Sequence, residues 1–315
     1  MKQYTHSSFI YFLTSTLATT VAVCLLQTGC GKSPSSGSDS GGGSASKVTI
    51  QNKGSDSMVN LAQAWAEEYK KVAPDVDVEV SGGGSGVGIT ALQKGTIDLA
   101  NSSRNMKPQE IAEAKKNTGK EPKEFIVGYD ALAIYVHKDN PLNEITLDQI
   151  AQIYMEGGTL TKWSDLGVTL PGAAGDEIVR VSRQSNSGTY EFLREHVLNK
   201  KDFRLGSRDM NGSKEVVELV SSTLTAIGYS GMGYVTPRVK MLRVKKTATD
   251  LAFEPSVANT LAKTYPIARS LLVYSLGEPQ GGVKKYVDWI MSDAGQKMVE
   301  ATGYVPLPAE ARTKP

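Results

Sequence analysis

Residues 48–100 read VTIQNKGSDSMVNLAQAWAEEYKKVAPDVDVEVSGGGSGVGITALQKGTIDLA, and the spacing of apolar residues changes period repeatedly along them. Val48 to Gln51 is a short β-type run that leads through KGSDS into a segment where Leu61, Trp65 and Tyr69 recur at helical spacing, closed by Pro74. Val76, Val78 and Val80 then alternate with acidic residues as in a strand. SGGGSG at 81–86 turns the chain, Val87 to Lys94 reads as a second helix stopped by Gly95, and Ile97 to Ala100 is a third strand. Strand, helix, strand, helix, strand is the order of an α/β lobe with a largely parallel sheet.

Working outward, two long apolar stretches stand apart in the chain: FIVGYDALAIYVH at 125–137 and YPIARSLLVY at 265–274. Strands of that length can cross between lobes. The expected division is therefore one lobe from residues 47–128 plus 270–315 and a second from 129–269, each a mixed sheet flanked by helices, joined by the two crossover strands. An uninterrupted chain would show similar strands, so this division is the least direct of the pattern readings. No repeat of 20 to 50 residues is visible.

The first 46 residues differ in kind. Lys2 precedes an apolar run from Phe9 to Leu26, the charged and apolar regions of an export signal, so residues 1–29 are expected to be a signal peptide. The competing reading, a membrane-spanning helix, fits less well, because the run is short and carries several Ser and Thr. Leu26-Gln27-Thr28-Gly29-Cys30 resembles a bacterial lipobox, which makes Cys30 the expected lipidated residue of the mature chain. Gln27 departs from the usual aliphatic residue, and ordinary signal cleavage is the alternative. Residues 31–46, GKSPSSGSDSGGGSAS, are too poor in apolar side chains to fold and form a flexible tether. The expectation is an exported periplasmic or cell-surface lipoprotein anchored to a bacterial membrane.

Composition removes several function classes. The formal net charge of the 315 residues is only +2, without the basic patch interleaved with aromatics that a nucleic-acid binder needs. Both cysteines, Cys24 and Cys30, lie in the leader, and beyond it only His137 and His196 supply imidazole, so neither a disulfide nor a metal site is expected, and no cofactor. None of Ser55, Ser57, Ser85, Ser187 or Ser230 sits in G-x-S-x-G, and the glycine-rich turn lacks the Lys and Ser/Thr of a P-loop, which argues against an enzyme.

What the sequence does supply is a repeated kind of helix start: Gly54-Ser55-Asp56-Ser57, Gly82-Gly83-Gly84-Ser85-Gly86 and Asn186-Ser187-Gly188-Thr189. The first turn of a helix leaves N–H groups unpaired at the positive end of the macrodipole, a natural anion site. Glycine lets the anion reach the backbone, and Ser or Thr adds hydroxyl donors. Any one of them is equally an ordinary N-cap. Three in one chain, with Arg183 four residues before Ser187, point to a shared site. Arg104, in Asn101-Ser102-Ser103-Arg104, either adds a second cation or is a solvated surface arginine. Hydrogen bonds to a charged group contribute roughly 1.5–3 kcal/mol each, and micromolar binding needs about 8 kcal/mol, so a ring of donors suffices without a basic surface.

These fragments resemble the phosphate-binding proteins of bacterial ABC importers, the PstS type. GSDSM, SGGGSGVGI, DLANSSR, GYDALAIYVHKDNP, RQSNSGTYEF, AIGY and YPIARSLLVYS follow in the family's order, then SDAGQKMVEATGYVPLP, covering nearly everything after residue 47. The resemblance implies the two-lobed type II periplasmic-binding-protein fold, inorganic phosphate as ligand, ABC permease subunits in the inner membrane as partners, and a monomeric receptor. It assigns Ser57 and the Met58 N–H to the ligand from the first loop, where Ser55 is a further candidate from the helix-start pattern, Ser85 from the glycine-rich turn and Ser103 from the third strand end. Arg183, Ser187, Gly188 and Thr189 come from the opposite lobe. In the family an aspartate near the third strand end accepts the proton of hydrogen phosphate; here Ser103 stands there, beside Arg104. Asp56, Asp130 or a serine oxygen could replace it, with Asp56 the expectation. A receptor of the same fold for sulfate, molybdate or tungstate, or a phosphate sensor uncoupled from transport, is the alternative.

Overall fold

The computed structural model describes residues 47–312. The expected signal peptide, Cys30 and the expected tether lie outside the described residues. β1 (Val48–Gly54) passes through a 3-10 turn at Asp56–Met58 into α1 (Val59–Val72), which buries Leu61, Trp65 and Tyr69 on one face. The Trp65 indole N–H donates to Gly295 O at 2.8 Å, tying that face to the C-terminal part of the chain. β2 (Val76–Ser81), α2 (Ser85–Gln93) and β3 (Leu99–Ser102) follow. α2 starts two residues earlier than its apolar pattern suggests, because Gly84, at φ +95°, turns the chain directly into the helix.

α3 (Pro108–Thr118) leads to β4 (Pro122–His137), a strand longer than its apolar stretch. Then come β5 (Glu144–Thr146), α4 (Leu147–Tyr154), β6 (Val179–Arg183), α5 (Gly188–His196), β7 (Arg208–Met210), α6 (Ser213–Ser222) and β8 (Ala226–Gly231). The chain continues through β9 (Val239–Met241), β10 (Arg243–Lys245), α7 (Val257–Leu261), β11 (Ala268–Leu276), α8 (Gly281–Met291) and α9 (Asp293–Ala301). β11 begins at Ala268 rather than Tyr265, whose hydroxyl instead donates to Leu132 O at 2.8 Å.

The main sheet has the order β2-β1-β3-β11-β4-β8-β6-β7, with β9 paired to β4. β2, β1 and β3 are parallel, as are β8, β6 and β7, while β11 and β4 run antiparallel between the two groups. β4 changes partner along its length: Pro122 to Ala131 pair with β11, and Leu132 to Val136 pair with β8. Asp130 and Arg269 face each other across β4 and β11 just before that change.

Buried apolar residues divide at the same place. One cluster gathers Ile50, Leu61, Trp65, Val127, Leu271, Tyr286 and Ile290. Another gathers Leu132, Ile134, Tyr154, Trp163, Leu193 and Tyr229. On the opposite sheet faces lie two smaller clusters, Ile89, Leu92, Leu272 and Tyr274 in the first half and Tyr135, Val181, Val216 and Val220 in the second. Each half is thus a sheet covered on both faces, the arrangement that parallel strands require. The architecture is that of a type II periplasmic-binding-protein fold.

Candidate functional site

Parallel strands end at the same edge of their sheet, and the loops leaving β1, β3 and β6 converge there. From β1 come Ser55, Asp56 and Ser57; from β3 comes Ser103; the α2 N-terminus supplies Ser85, and β6 with the α5 N-terminus supplies Arg183, Ser187, Gly188 and Thr189. Six of these side chains carry hydroxyls, on Ser55, Ser57, Ser85, Ser103, Ser187 and Thr189, and all are buried. Ser55 Oγ donates to Ser103 Oγ at 3.0 Å, and the Ser103 N–H donates to Ser85 Oγ at 3.1 Å. Ser57 Oγ and Thr189 Oγ1 lie 2.9 Å apart across the two halves of the molecule. The three helix starts therefore meet.

At Gly188 the α5 backbone packs directly against serine side chains from the other half of the molecule. A Cβ built on it would lie 2.3 Å from Ser85 Oγ and 2.7 Å from Ser103 Oγ. Only glycine leaves the α5 N-terminus free to approach α2 this closely. Ser187 caps α5, accepting from the Thr189 N–H at 3.2 Å, and the Gly86 N–H donates to Asn186 O at 3.0 Å.

A clasp of opposite charges spans the same cleft. Arg183 donates from Nη2 to Asp56 Oδ2 at 2.8 Å, and the other Asp56 oxygen accepts the Gly83 N–H at 2.8 Å. The Tyr234 hydroxyl donates to Asp56 O at 2.6 Å, and Tyr304 donates to Ser57 O. Burial pushes the Arg183 guanidinium down from its ordinary value, against the pull of Asp56, while burial pushes both tyrosines up, keeping them neutral donors. A carboxylate has about four lone-pair sites, so Asp56 retains acceptor capacity beyond these two bonds.

Arg104 is not brought to the hydroxyls. Its guanidinium is taken by Glu110 in a two-pronged pair at 2.7 and 2.8 Å, which fixes the turn between β3 and α3. Arg269, which lies in the YPIARSLLVYS stretch but is not among the expected site residues, reaches the site instead. It lies on β11, is 6% exposed, and donates to Ser57 Oγ at 3.2 Å and to Thr189 Oγ1 at 3.1 Å. Nε and Nη2 both bond Asp130 Oδ2, at 2.9 and 2.8 Å, and the guanidinium stacks 5.5 Å from the Phe192 ring. A lone arginine in a long apolar strand was the available signal. Among the described residues no group of His, Cys, Asp and Glu could hold a metal ion.

Buried hydroxyls, two glycine-opened helix N-termini and a charge clasp thus meet between the two halves. Residues 35–294 match the family model of the PBP superfamily domain. The chain is 36% identical over 275 residues to the phosphate-binding protein PstS of Pseudomonas aeruginosa, covering 84% of this chain and 85% of that protein. The chain belongs to the PstS family of periplasmic binding proteins. Protein SphX of Synechococcus elongatus is 33% identical over 86% of this chain and 81% of its own length. Among solved structures, a phosphate ABC transporter substrate-binding protein from Clostridium perfringens, with bound phosphate, superposes at a TM-score of 0.72 with 30% identity, covering 82% of this chain and all of that one. In this PstS-family chain, Ser57, Ser85, Ser103 and Thr189 meet as buried residues between the two halves of the sheet.

Proposed function

We propose that this chain is an extracytoplasmic receptor that binds inorganic phosphate between its two lobes and delivers it to an ABC importer, and that it is not an enzyme. The observation that carries this reading is the buried set of six hydroxyls gathered from the loops after β1 and β3 and the α2 and α5 N-termini, inside a PstS-family chain. The Pseudomonas and Clostridium proteins it is similar to are named for binding phosphate. Ser55, Ser57, the Met58 N–H, Ser85 and Ser103 hold the anion from one lobe; Arg183, Ser187, Gly188 and Thr189 hold it from the other; Asp56 accepts its proton. The lobes are residues 47–128 with 270–315, and 129–269. The separation of buried clusters into residues 50–127 with 271–307 on one side, and 131–267 on the other, supports that division.

The mature chain is anchored through lipid on Cys30, acts as a monomer and docks on permease subunits in the inner membrane. Cys30→Ser is expected to move the protein from the membrane fraction to the soluble fraction; retention in the membrane would refute the anchor. Ser103 in place of a carboxylate favours a second reading, a receptor for another oxyanion. A thermal-shift panel of phosphate, arsenate, sulfate and molybdate separates the two. A ligand at a hundred times its dissociation constant adds about 2.7 kcal/mol of stability. Phosphate and arsenate should therefore raise the melting temperature at concentrations where sulfate and molybdate do not, and the reverse ranking would overturn the phosphate reading.

A further inference from the structure

The arginines of the described residues fall into three sets. Most are paired with a carboxylate, as Arg183 is with Asp56 and Arg269 with Asp130. Arg208 and Arg238 have no such partner but are exposed, where water serves. Arg180 and Arg204 are half-buried, and among the described residues neither has a carboxylate oxygen within 4.0 Å.

These two adjoin each other, well away from the cleft. Arg180 is the second residue of β6 and stands three before Arg183, so its side chain leaves the opposite face of the strand, near the other end. Its Nη2 donates to Leu205 O at 3.4 Å and lies 3.7 Å from where a Cβ on Gly206 would stand, which brings it to the loop beside Arg204. That loop, between α5 and β7, is fixed in place. The Arg204 N–H donates to Tyr154 O and the Glu156 N–H to Asp202 O, both at 2.8 Å, and Phe203 stacks on Tyr190 at 4.1 Å. Asp202, the acid nearest in sequence to Arg204, is taken by Arg194 through Nε and Nη2.

The Leu205 carbonyl is the one acceptor that either guanidinium finds among the described residues, and Arg180 Nε and Arg204 Nη1 are buried without any. Burial and the neighbouring Arg204 charge push the Arg180 guanidinium down from its ordinary value, against the smaller pull of Glu177. Like charges set side by side and partly withdrawn from water are unfavourable unless an opposite charge meets them, and buried N–H groups without an acceptor call for one.

We propose that Arg180 and Arg204 form a second oxyanion site, separate from the cleft, that takes a phosphate group. Two planar forks offer paired donors matched to the oxygens of a tetrahedral anion, and the pinned loop holds Arg204 ready for it. Free phosphate and the headgroup of an anionic phospholipid carry the same chemistry. Leu205, 93% exposed between Arg204 and Gly206, would give a headgroup's acyl chains an apolar contact. The proposal does not depend on what the cleft binds.

The test uses residues 47–315, which hold every described element. In one arm the ¹⁵N-labelled protein is given one equivalent of inorganic phosphate to fill the cleft and is then titrated with more, while the arginine Nε–H signals are followed by NMR. In the other it is sedimented with vesicles of phosphatidylglycerol and phosphatidylcholine, and with vesicles of phosphatidylcholine alone. Joint shifts of the Arg180 and Arg204 signals with half-saturation at about 1 mM or below identify free phosphate as a ligand. Sedimentation with the phosphatidylglycerol vesicles only identifies the headgroup. In whichever arm responds, Arg180→Gln and Arg204→Gln should each weaken binding by about tenfold or more, while Arg208→Gln, which removes the same charge from an exposed neighbour, should change it by less than about threefold. No response of the wild-type protein in either arm would overturn the site, as would an equal loss in all three variants.

Discussion

Replacing Gly188 by alanine places one methyl group where the two halves of the cleft come closest. The added carbon would lie 2.3 Å from Ser85 Oγ and 2.9 Å from Ser85 Cβ, so rotating the serine hydroxyl does not relieve the overlap. Ordinary contact begins at 3.4 Å, so α5 must retreat by 3.4 − 2.3 = 1.1 Å. A retreat of that size would stretch the Ser57–Thr189 hydroxyl contact from 2.9 Å to about 4.0 Å, beyond hydrogen-bonding range. An anion held from both sides would then lose the donors at the α5 N-terminus. Two such bonds at roughly 1.5–3 kcal/mol each amount to about 3–6 kcal/mol, or 10²- to 10⁴-fold in affinity. Alanine is a good helix residue, so the cost should fall on the approach of the two halves rather than on α5 itself. Calorimetry with phosphate and a thermal melt without it separate the two effects. Phosphate affinity within about threefold of wild type would refute the reasoning, since it would mean that this approach is not needed for binding.

Other substitutions probe other links. Asp56→Ala leaves the buried Arg183 without its carboxylate and should cost about 3 kcal/mol in urea denaturation while lowering both phosphate affinity and the preference for phosphate over sulfate; unchanged values of all three would contradict the role given to the clasp. Gly88→Ala would drive a carbon to 2.4 Å from Lys53 O and 2.7 Å from Gly54 Cα, backbone atoms of β1 that cannot step aside. A loss of about 1–3 kcal/mol is expected, and an unchanged melting temperature would mean that α2 does not pack on β1 this closely. Glu110 has its carboxyl below the usual range: burial works against its charge, but the hydrogen bonds from Arg104 and the Lys107 N–H outweigh burial. Its stabilisation is therefore complete above the unfolded value of about 4.3 and is lost as pH falls through the lower folded value. Glu110→Gln should be less stable than wild type at neutral pH, with the two stability curves converging in acid; a constant gap down to the folded value would be inconsistent with this pair.

The elements of residues 48–100 could be read from sequence because each declares its period locally. The three helix starts could be found because N-caps and anion sites draw on the same few residues, although that overlap also left capping as a rival reading until the loops were seen to converge. Arginine assignment was harder, because proximity in sequence is a poor guide to where a long side chain ends. Arg104 adjoins Ser103, yet Glu110, early in α3, captures it at 2.7 Å. Arg269 bonds Asp130 from 139 positions away, a pairing that exists only once β4 and β11 lie side by side. The same long-range pairing underlies the partner change in β4, which no local pattern encodes.

The central claim is that one tetrahedral anion is held between the two halves of this chain by groups from both. Titrating residues 47–315 with inorganic phosphate in a calorimeter, with sulfate, molybdate and arsenate run in parallel, tests it most directly. The account expects one phosphate per chain at micromolar affinity or tighter, about 8 kcal/mol or more. Heats indistinguishable from dilution for all four anions would contradict it.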